Sequence, residues 1–98
     1  MKKKALEEKT LEKKLTDGIK KLGGAAIKYT SPYYIGMPDR LVLLPSGVVC
    51  FVELKSETGR LTPIQVKRHA QLSGLNQKVF IVRDATSLQN CLSAVAQL

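Results

Sequence analysis

The sequence predicts an α/β fold in which a mixed β-sheet is flanked by helices, with the element order αβββαβα. Three observations favour this class: an amphipathic pattern near the N-terminus, two β-rich runs around a tight turn, and an uncharged apolar segment at the end of the chain. The 98 residues, 44% of them hydrophobic and 24% charged, fit a single small domain over residues 1–98.

The first predicted element is a helix from about residue 4 to 22. Leu11, Leu15 and Ile19 recur at helical spacing among lysines and glutamates, which is typical of a helix with one buried face. The glycine pair at 23–24 is expected to end this helix.

Three β-strands are predicted next. Short β-prone runs supply them: 25–29, 40–44 and 48–55. The segment 30–38 contains prolines and a glycine and is predicted to be a loop. Pro45, Ser46 and Gly47 form a three-residue hairpin connection, with glycine where a positive φ is needed.

The second half of the chain is predicted to add a helix, a strand and a final helix. Thr62 and Pro63 provide an N-cap and a proline at the first helical position, so this helix is expected to run to about Gly74. The last strand is predicted at 78–82 and the final helix at about 87–97.

The hairpin places two carboxylates opposite each other. If Leu44 pairs with Val48 across the turn, Asp39 faces Glu53 on the neighbouring strand. Opposed residues have Cβ atoms about 4.5–5.5 Å apart, where like charges are destabilising. Lys55 points to the same face as Glu53 because side chains alternate along a strand. Both faces of the hairpin are mostly apolar, so helices are predicted to cover the sheet on both sides.

Two carboxylates and an amine at the end of a covered sheet suit a hydrolytic metal site. Hard oxygen ligands favour Mg²⁺ or Mn²⁺, and a bound ion would offset the repulsion between the carboxylates and activate a water molecule. Lys55 would orient that water or stabilise charge on a phosphate. The alternative is a set of ordinary salt bridges, such as one between Glu53 and Lys55.

Composition predicts the partner and the compartment. Sixteen Lys and Arg against eight Asp and Glu give a net charge of +8, which indicates a polyanionic partner. No apolar stretch reaches the roughly 18 residues needed to span a membrane, so no membrane partner is expected. Cys50 and Cys91 lie in apolar runs without a close partner, which favours buried free thiols in a reducing, intracellular compartment.

The charged residues also carry a resemblance to a known family. The strings GMPDR at 36–40 and FVELK at 51–55, followed by Gln65, are similar to the VRR-NUC family of nucleases in the PD-(D/E)XK superfamily. The resemblance extends from residue 12 to 82, almost the whole chain. It implies a restriction-endonuclease-like core and a metal-dependent endonuclease that hydrolyses phosphodiester bonds in DNA.

The resemblance also implies roles for single residues. Three groups match the family's ligands for Mg²⁺ or Mn²⁺: the carboxylates of Asp39 and Glu53 and the main-chain carbonyl of Leu54. Lys55 matches the catalytic lysine, Glu12 the glutamate of the first helix, and Gln65 the glutamine of the helix after the motif.

Small stand-alone members of this family, found in phages and bacteria, resemble Holliday-junction resolvases and act as homodimers. The resemblance therefore implies a homodimer that acts on branched or four-way-junction DNA in the cytoplasm of a bacterial or phage-infected cell. The alternative is a non-catalytic DNA-binding or architectural module that keeps the nuclease fold. Such a module is expected to have lost Asp39, Glu53 or Lys55, and this chain retains all three.

Three positions keep two interpretations. Glu8 projects nearer to the middle of the apolar stripe than Glu12, so helical geometry alone does not choose between them. Gln65 also fits a capping box with Thr62. His69 lies one turn after Gln65 and could face the site, although a lone histidine is more often packed or solvated.

Surface contacts are predicted from charge and exposure. The expected DNA-binding residues are Lys28, Arg60, Lys67, Arg68, Tyr33 and Tyr34. The two tyrosines could instead anchor a dimer. The other candidate dimer surface is the final helix, with Leu88, Leu92, Val95 and Leu98, unless these residues close the core of the monomer.

Overall fold

The fold is described from a computed structural model of residues 7–98. These residues form the elements α1 (Glu8–Lys21), β1 (Ala25–Lys28), β2 (Arg40–Leu43), β3 (Val49–Leu54), α2 (Pro63–Gly74), β4 (Val79–Val82) and α3 (Ala85–Val95). The strands lie in the order β1-β2-β3-β4; β3 and β4 are parallel and the other neighbours antiparallel. The predicted αβββαβα order and mixed sheet are confirmed.

Helix α1 buries the predicted apolar stripe. Leu11, Leu15 and Ile19 are fully buried, whereas the lysines on the opposite side are exposed. The helix begins at Glu8 and ends at Lys21; residues 4–6 of the predicted helix lie outside the described residues.

The hairpin adopts the predicted register. The backbone N–H of Leu44 donates to the carbonyl of Val48 at 3.0 Å, and Val42 pairs with Cys50 further along the ladder. Gly47 has a φ of 88°, the positive value that the three-residue turn requires. Because this register holds, Asp39 and Glu53 come to the same end of the sheet.

Both later helices begin with capping boxes. At α2 the hydroxyl of Thr62 accepts from the Gln65 backbone N–H, and the Gln65 side chain accepts from the Thr62 backbone N–H. At α3 the carboxylate of Asp84 accepts from the Ser87 backbone N–H at 2.7 Å. The prediction that the last helix begins at Ser87 was wrong by two residues, because Ser87 is the third residue of a helix capped by Asp84.

The core lies between one face of the sheet and the helices α1 and α3. Its buried members are Leu11, Leu15, Ile19, Val42, Cys50, Val52, Leu54, Val82, Leu88, Cys91 and Val95. The buried free thiols predicted at Cys50 and Cys91 are confirmed. No helix within residues 7–98 is long and apolar enough to cross a membrane.

The apolar residues of α3 close this core and do not form a free surface. Leu88 and Val95 are 7% and 2% exposed, and Leu92 packs so closely on α1 that a Cβ at Gly18 would lie 2.7 Å from its Cδ1. Only Leu98, beyond the helix, reaches 36% exposure. The prediction of a dimer surface on this helix is therefore corrected: most of its apolar area is already covered within the monomer.

Helices cover the two faces of the sheet unequally. The face with Val42 and Val52 is buried under α1 and α3, whereas α2 covers the opposite face only at the end near Glu53. Leu43 and Val49, paired on that opposite face, remain 37% and 38% exposed. The prediction that helices cover both sides of the sheet is confirmed, although the cover by α2 leaves part of its face exposed.

Candidate active site

The site is built on the paired ends of β2 and β3. The register that joins Arg40 to Val52 brings Asp39 and Glu53 side by side. Oδ1 of Asp39 accepts a hydrogen bond of 3.1 Å from the backbone N–H of Leu54, so the Asp39 carboxylate is held directly against β3. The predicted pair of carboxylates is thus brought together at one end of the sheet.

Arg40 supplies the positive charge beside Asp39. Its guanidinium is buried, and its terminal nitrogens lie 3.2 Å from Oδ2 of Asp39 and 3.0 Å from Oε1 of Glu12. It also donates to the main-chain carbonyl of Asp39 at 3.0 Å. A buried guanidinium needs such partners, and this arrangement ties helix α1 to the carboxylate end of the sheet.

Glu53 is the most perturbed carboxyl group of the site. It is only 4% exposed, and burial together with the neighbouring charge of Asp39 raises its pKa from 4.5 to about 7. The positive charge of Lys55 opposes this rise. A carboxyl group whose pKa is raised in this way is only partly ionised near neutral pH. A cation bound beside it would favour the ionised form.

Lys55 follows β3 directly and faces the same site. Its backbone N–H donates to the backbone carbonyl of Val82 at 3.0 Å, which extends the parallel ladder by one residue. Its ammonium group is close enough to lower the pKa of both Glu53 and His69. The predicted trio of Asp39, Glu53 and Lys55 therefore lies together.

The site concentrates buried polar atoms that lack partners. Within residues 7–98, such side-chain atoms are Oη of Tyr29, Oε1 of Glu53 and both ring nitrogens of His69. Buried polar groups are nearly always hydrogen-bonded, and exceptions call for an ion, a water or a substrate. Burial raises the pKa of Tyr29 and lowers that of His69, so each neutral form is favoured.

These residues fit a divalent ion. The buried carboxylate of Glu53 can bind one, and Asp39 adds a second carboxylate beside the cavity that Leu54 also lines. Within residues 7–98 no cluster of three or more His, Cys, Asp or Glu side chains is arranged to hold a metal. Two carboxylates with a main-chain carbonyl match Mg²⁺ or Mn²⁺, which retain several waters and accept substrate oxygens.

An open cavity of about 420 Å³ leads to Asp39 from the side of α1. It is lined by Glu8, Lys9, Glu12, Lys28, Asp39, Arg40 and Leu54. Glu12 is held there by Arg40, whereas Glu8 lines the cavity and its charge raises the pKa of Glu53. Both glutamates thus come to the site, and Lys28 adds an exposed positive charge at its entrance.

The side chain of Gln65 is engaged in the cap of α2. Its Oε1 accepts from the backbone N–H of Thr62 at 2.9 Å. The capping interpretation is therefore confirmed. The site role of Gln65 that the family resemblance implies stays a prediction.

The loop between β1 and β2 is fastened to α2. Nε of Arg68 donates to the carbonyl of Ile35 at 2.8 Å, and its guanidinium lies 3.8 Å from the ring centroid of Tyr34. Gln71 accepts from both Arg68 and Tyr34. Gly36 has a φ of 92°, and a Cβ there would lie 2.6 Å from the carbonyl of Ile64, so the close approach to α2 requires glycine.

The predicted DNA-binding residues consequently divide into two groups. The side chains of Arg68 and Tyr34 are engaged in the contacts between the loop and α2, so they offer less surface to a ligand. Tyr33 is 99% exposed, and Arg60 and Lys67 are exposed as well. These three, with Lys28, are the better placed of the six for contact with a polyanion.

The sequence does not single out Tyr29, and for His69 it allows either a place facing the site or a packed or solvated position. His69 is buried, and its Nε2 lies 3.8 Å from Oε1 of Glu53. Its spacing of one turn from Gln65 was the available signal. The backbone N–H of Tyr29 continues the β1–β2 ladder by donating to the Asp39 carbonyl at 3.3 Å, but no motif singles this residue out.

Known proteins are similar to this chain in sequence and in architecture. No family model matches the chain. The chain is 43% identical over 90 residues to "Putative nuclease p44" of Acyrthosiphon pisum secondary endosymbiont phage 1, covering 92% of this chain and 96% of that protein. It is also similar to a solved structure titled "VRR_NUC domain", with a TM-score of 0.81 and 30% identity over 88% of this chain and 94% of that one.

A mixed sheet with paired carboxylates and a following lysine at one end defines the restriction-endonuclease-like class of nucleases, the PD-(D/E)XK superfamily. Within that class, the two similarities identify the particular branch: the chain belongs to the VRR-NUC family of nucleases. The resemblance inferred from GMPDR and FVELK is confirmed.

Proposed function

We propose that this protein is a divalent-metal-dependent endodeoxyribonuclease that cleaves branched DNA, including four-way junctions, as a homodimer in the cytoplasm of a bacterial or phage-infected cell. The observation that carries the metal dependence is the burial of the Glu53 carboxylate beside that of Asp39 at one end of the sheet. Two carboxylates this close repel each other, and a cation between them removes that cost.

Each residue of the trio has a distinct task in hydrolysis. Asp39 and Glu53 would hold Mg²⁺ or Mn²⁺, with the Leu54 carbonyl as the third protein ligand. The ion, when bound, polarises the phosphate and lowers the pKa of a bound water. Lys55 orients the attacking water and stabilises the negative charge that develops on the phosphate. Glu12 and Gln65 support these residues from outside the set of metal ligands.

Arg40 compensates the charge of one of the two carboxylates. Its contact with Oδ2 of Asp39 compensates one carboxylate, and Oδ1 is occupied by the Leu54 N–H. The buried Glu53 carboxylate, whose pKa is raised, is therefore the group with most to gain from a cation.

The charge and shape of the surface support DNA as the substrate. The net charge of +8 favours a phosphate backbone through the release of counterions. Lys28 at the cavity entrance and the exposed Arg60 and Lys67 provide phosphate contacts. The exposed ring of Tyr33, on a loop fastened to α2, can stack on an unpaired base at a branch point.

The decisive experiment compares cleavage of a four-way junction, single-stranded DNA and linear duplex, with Mg²⁺, with Mn²⁺ and with EDTA. We expect cleavage only with a metal and faster cleavage of the junction than of the linear duplex. Full activity in EDTA would contradict the metal-dependent mechanism. Tight DNA binding without cleavage under every condition would favour a non-catalytic module.

The uncovered sheet face supports the homodimer. Ile27 is 42% exposed and pairs with Leu41, and Leu43 pairs with Val49 on the same face, where both are more than a third exposed. All four residues are apolar, so this patch suits an apolar partner surface better than DNA. A second copy of the chain offers the same patch, and a two-fold dimer supplies two active sites for the two strands of a junction.

Replacing Val49 with Lys is expected to convert the dimer into a monomer, because each interface would then bury two unpaired charges. The dimer Kd should rise by at least about 100-fold. Light scattering at micromolar concentration measures the change. Val66→Lys is the matched control, since Val66 is 53% exposed on α2, away from the patch, and should leave the dimer intact. A monomeric unaltered protein would contradict the proposed dimer.

A further inference from the structure

His69 and Glu53 form a buried pair that is close but not bonded. Nε2 of His69 lies 3.8 Å from Oε1 of Glu53, beyond the roughly 2.7–3.2 Å of a nitrogen–oxygen hydrogen bond. The side chains are 10% and 5% exposed, so bulk water does not solvate them freely. Both facing atoms lack any partner. An approach of about 1 Å would join them.

Other contacts at the site do not restrain this oxygen. Asp39 is held by Arg40 and by the Leu54 backbone, and Glu12 is held by Arg40. Oε1 of Glu53 is thus the carboxylate oxygen at this site that most needs a donor, and the imidazole of His69 faces it. The backbone of His69 is held in place on α2, because the helix is capped at Thr62 and the β1–β2 loop is fastened to it through Arg68.

We propose that His69 is a positioning residue, which donates a hydrogen bond from Nε2 to Oε1 of Glu53 and so orients this carboxylate for the divalent ion. The inference rests on the proposed function, because it concerns the same metal site. A carboxylate that is anchored at one oxygen presents the other in a defined direction. Loss of such an outer partner typically weakens metal binding by about 10- to 100-fold.

The test measures Mn²⁺ binding without DNA, by electron paramagnetic resonance of the free ion and by the dependence of Tm on Mn²⁺ concentration. His69→Leu fills the space but removes the donor, and it should raise the Kd for Mn²⁺ by about 10- to 100-fold. His69→Gln carries an amide nitrogen at a similar reach and should stay within about 3-fold of the unaltered protein. Leu72→Ala, one turn further along α2 at a buried position, is the matched control.

Stability separates positioning from packing. At a separation of 3.8 Å no hydrogen bond joins His69 to Glu53, so removal of the two buried ring nitrogens by His69→Leu should leave Tm without metal the same or raise it, while metal affinity falls. Leu72→Ala should lower Tm and leave the Kd unchanged. A merely structural role for His69 would instead lower Tm without changing the Kd.

Each contrary result has a clear meaning. A folded His69→Leu protein with an unchanged Kd would overturn the inference and leave the proposed metal site intact. Equal losses in His69→Leu and His69→Gln would overturn the donor role. Absence of Mn²⁺ binding by the unaltered protein would overturn both the metal site and this inference.

Discussion

Glu53→Gln is expected to lower the rate of DNA cleavage by about 100- to 1000-fold or more, because the amide keeps the shape of the side chain but cannot carry the charge that holds a cation. Lys55→Ala should have an effect of similar size, since the ammonium group that stabilises the phosphate is lost. Single-turnover cleavage of a labelled junction at saturating protein measures both. DNA affinity should change little.

Matched variants keep this prediction specific. Glu57→Gln makes the same change at an exposed position of the following loop, and Lys78→Ala removes an exposed lysine before the start of β4. Both should cleave at close to the normal rate. Cleavage by folded Glu53→Gln or Lys55→Ala at that rate would show that the carboxylate end of the sheet is not the catalytic centre.

The second large effect concerns stability and pH in the absence of metal. Glu53 has a pKa of about 7 in the folded protein and an ordinary value of 4.5, so the folded state binds its proton more tightly than the unfolded state does. Ionisation of Glu53 therefore lowers the free energy of unfolding as pH rises from about 4.5 to 7. This pKa difference corresponds to about 3 kcal/mol, lost in full above pH 7.

Glu53→Gln should abolish this loss. At pH 8 the variant should be more stable than the unaltered protein by up to about 3 kcal/mol, whereas at pH 4.5 the two should be similar. Urea unfolding across this pH range in EDTA measures the difference. His69 has a lowered pKa, which makes stability rise with pH in both proteins. Equal stability of the two proteins at pH 8 would contradict the buried, repelled state of Glu53.

Activity and stability are thus expected to oppose each other at this site. Glu53 and His69 keep polar atoms buried without partners, and natural sequences tolerate that cost chiefly at functional sites. Variants that remove these atoms should leave the metal-free fold equally or more stable while impairing catalysis or metal binding. This opposition is difficult to explain for residues with a purely structural role.

The order of elements, the hairpin and the composition of the central site follow from the amino-acid sequence alone. The turn at Gly47 defines the register, and the two-residue period of a strand then places Asp39, Glu53 and Lys55 together. Thr62 and Gln65 likewise specify the start of α2 from neighbouring residues. These rules act within one hairpin or at one helix start, so they apply without knowledge of how the helices pack on the sheet.

The surroundings of that site and the surfaces that stay exposed depend on how the elements pack in three dimensions. The contacts of Arg40 with Glu12 and of His69 with Glu53 join residues far apart in the chain, and their distances depend on how α1 and α2 pack on the sheet. The burial of Leu88 and the exposure of Val49 follow from the same packing. Periodicity shows that a residue has an apolar neighbour; it does not show which element provides it, because that depends on the relative positions of whole helices and strands.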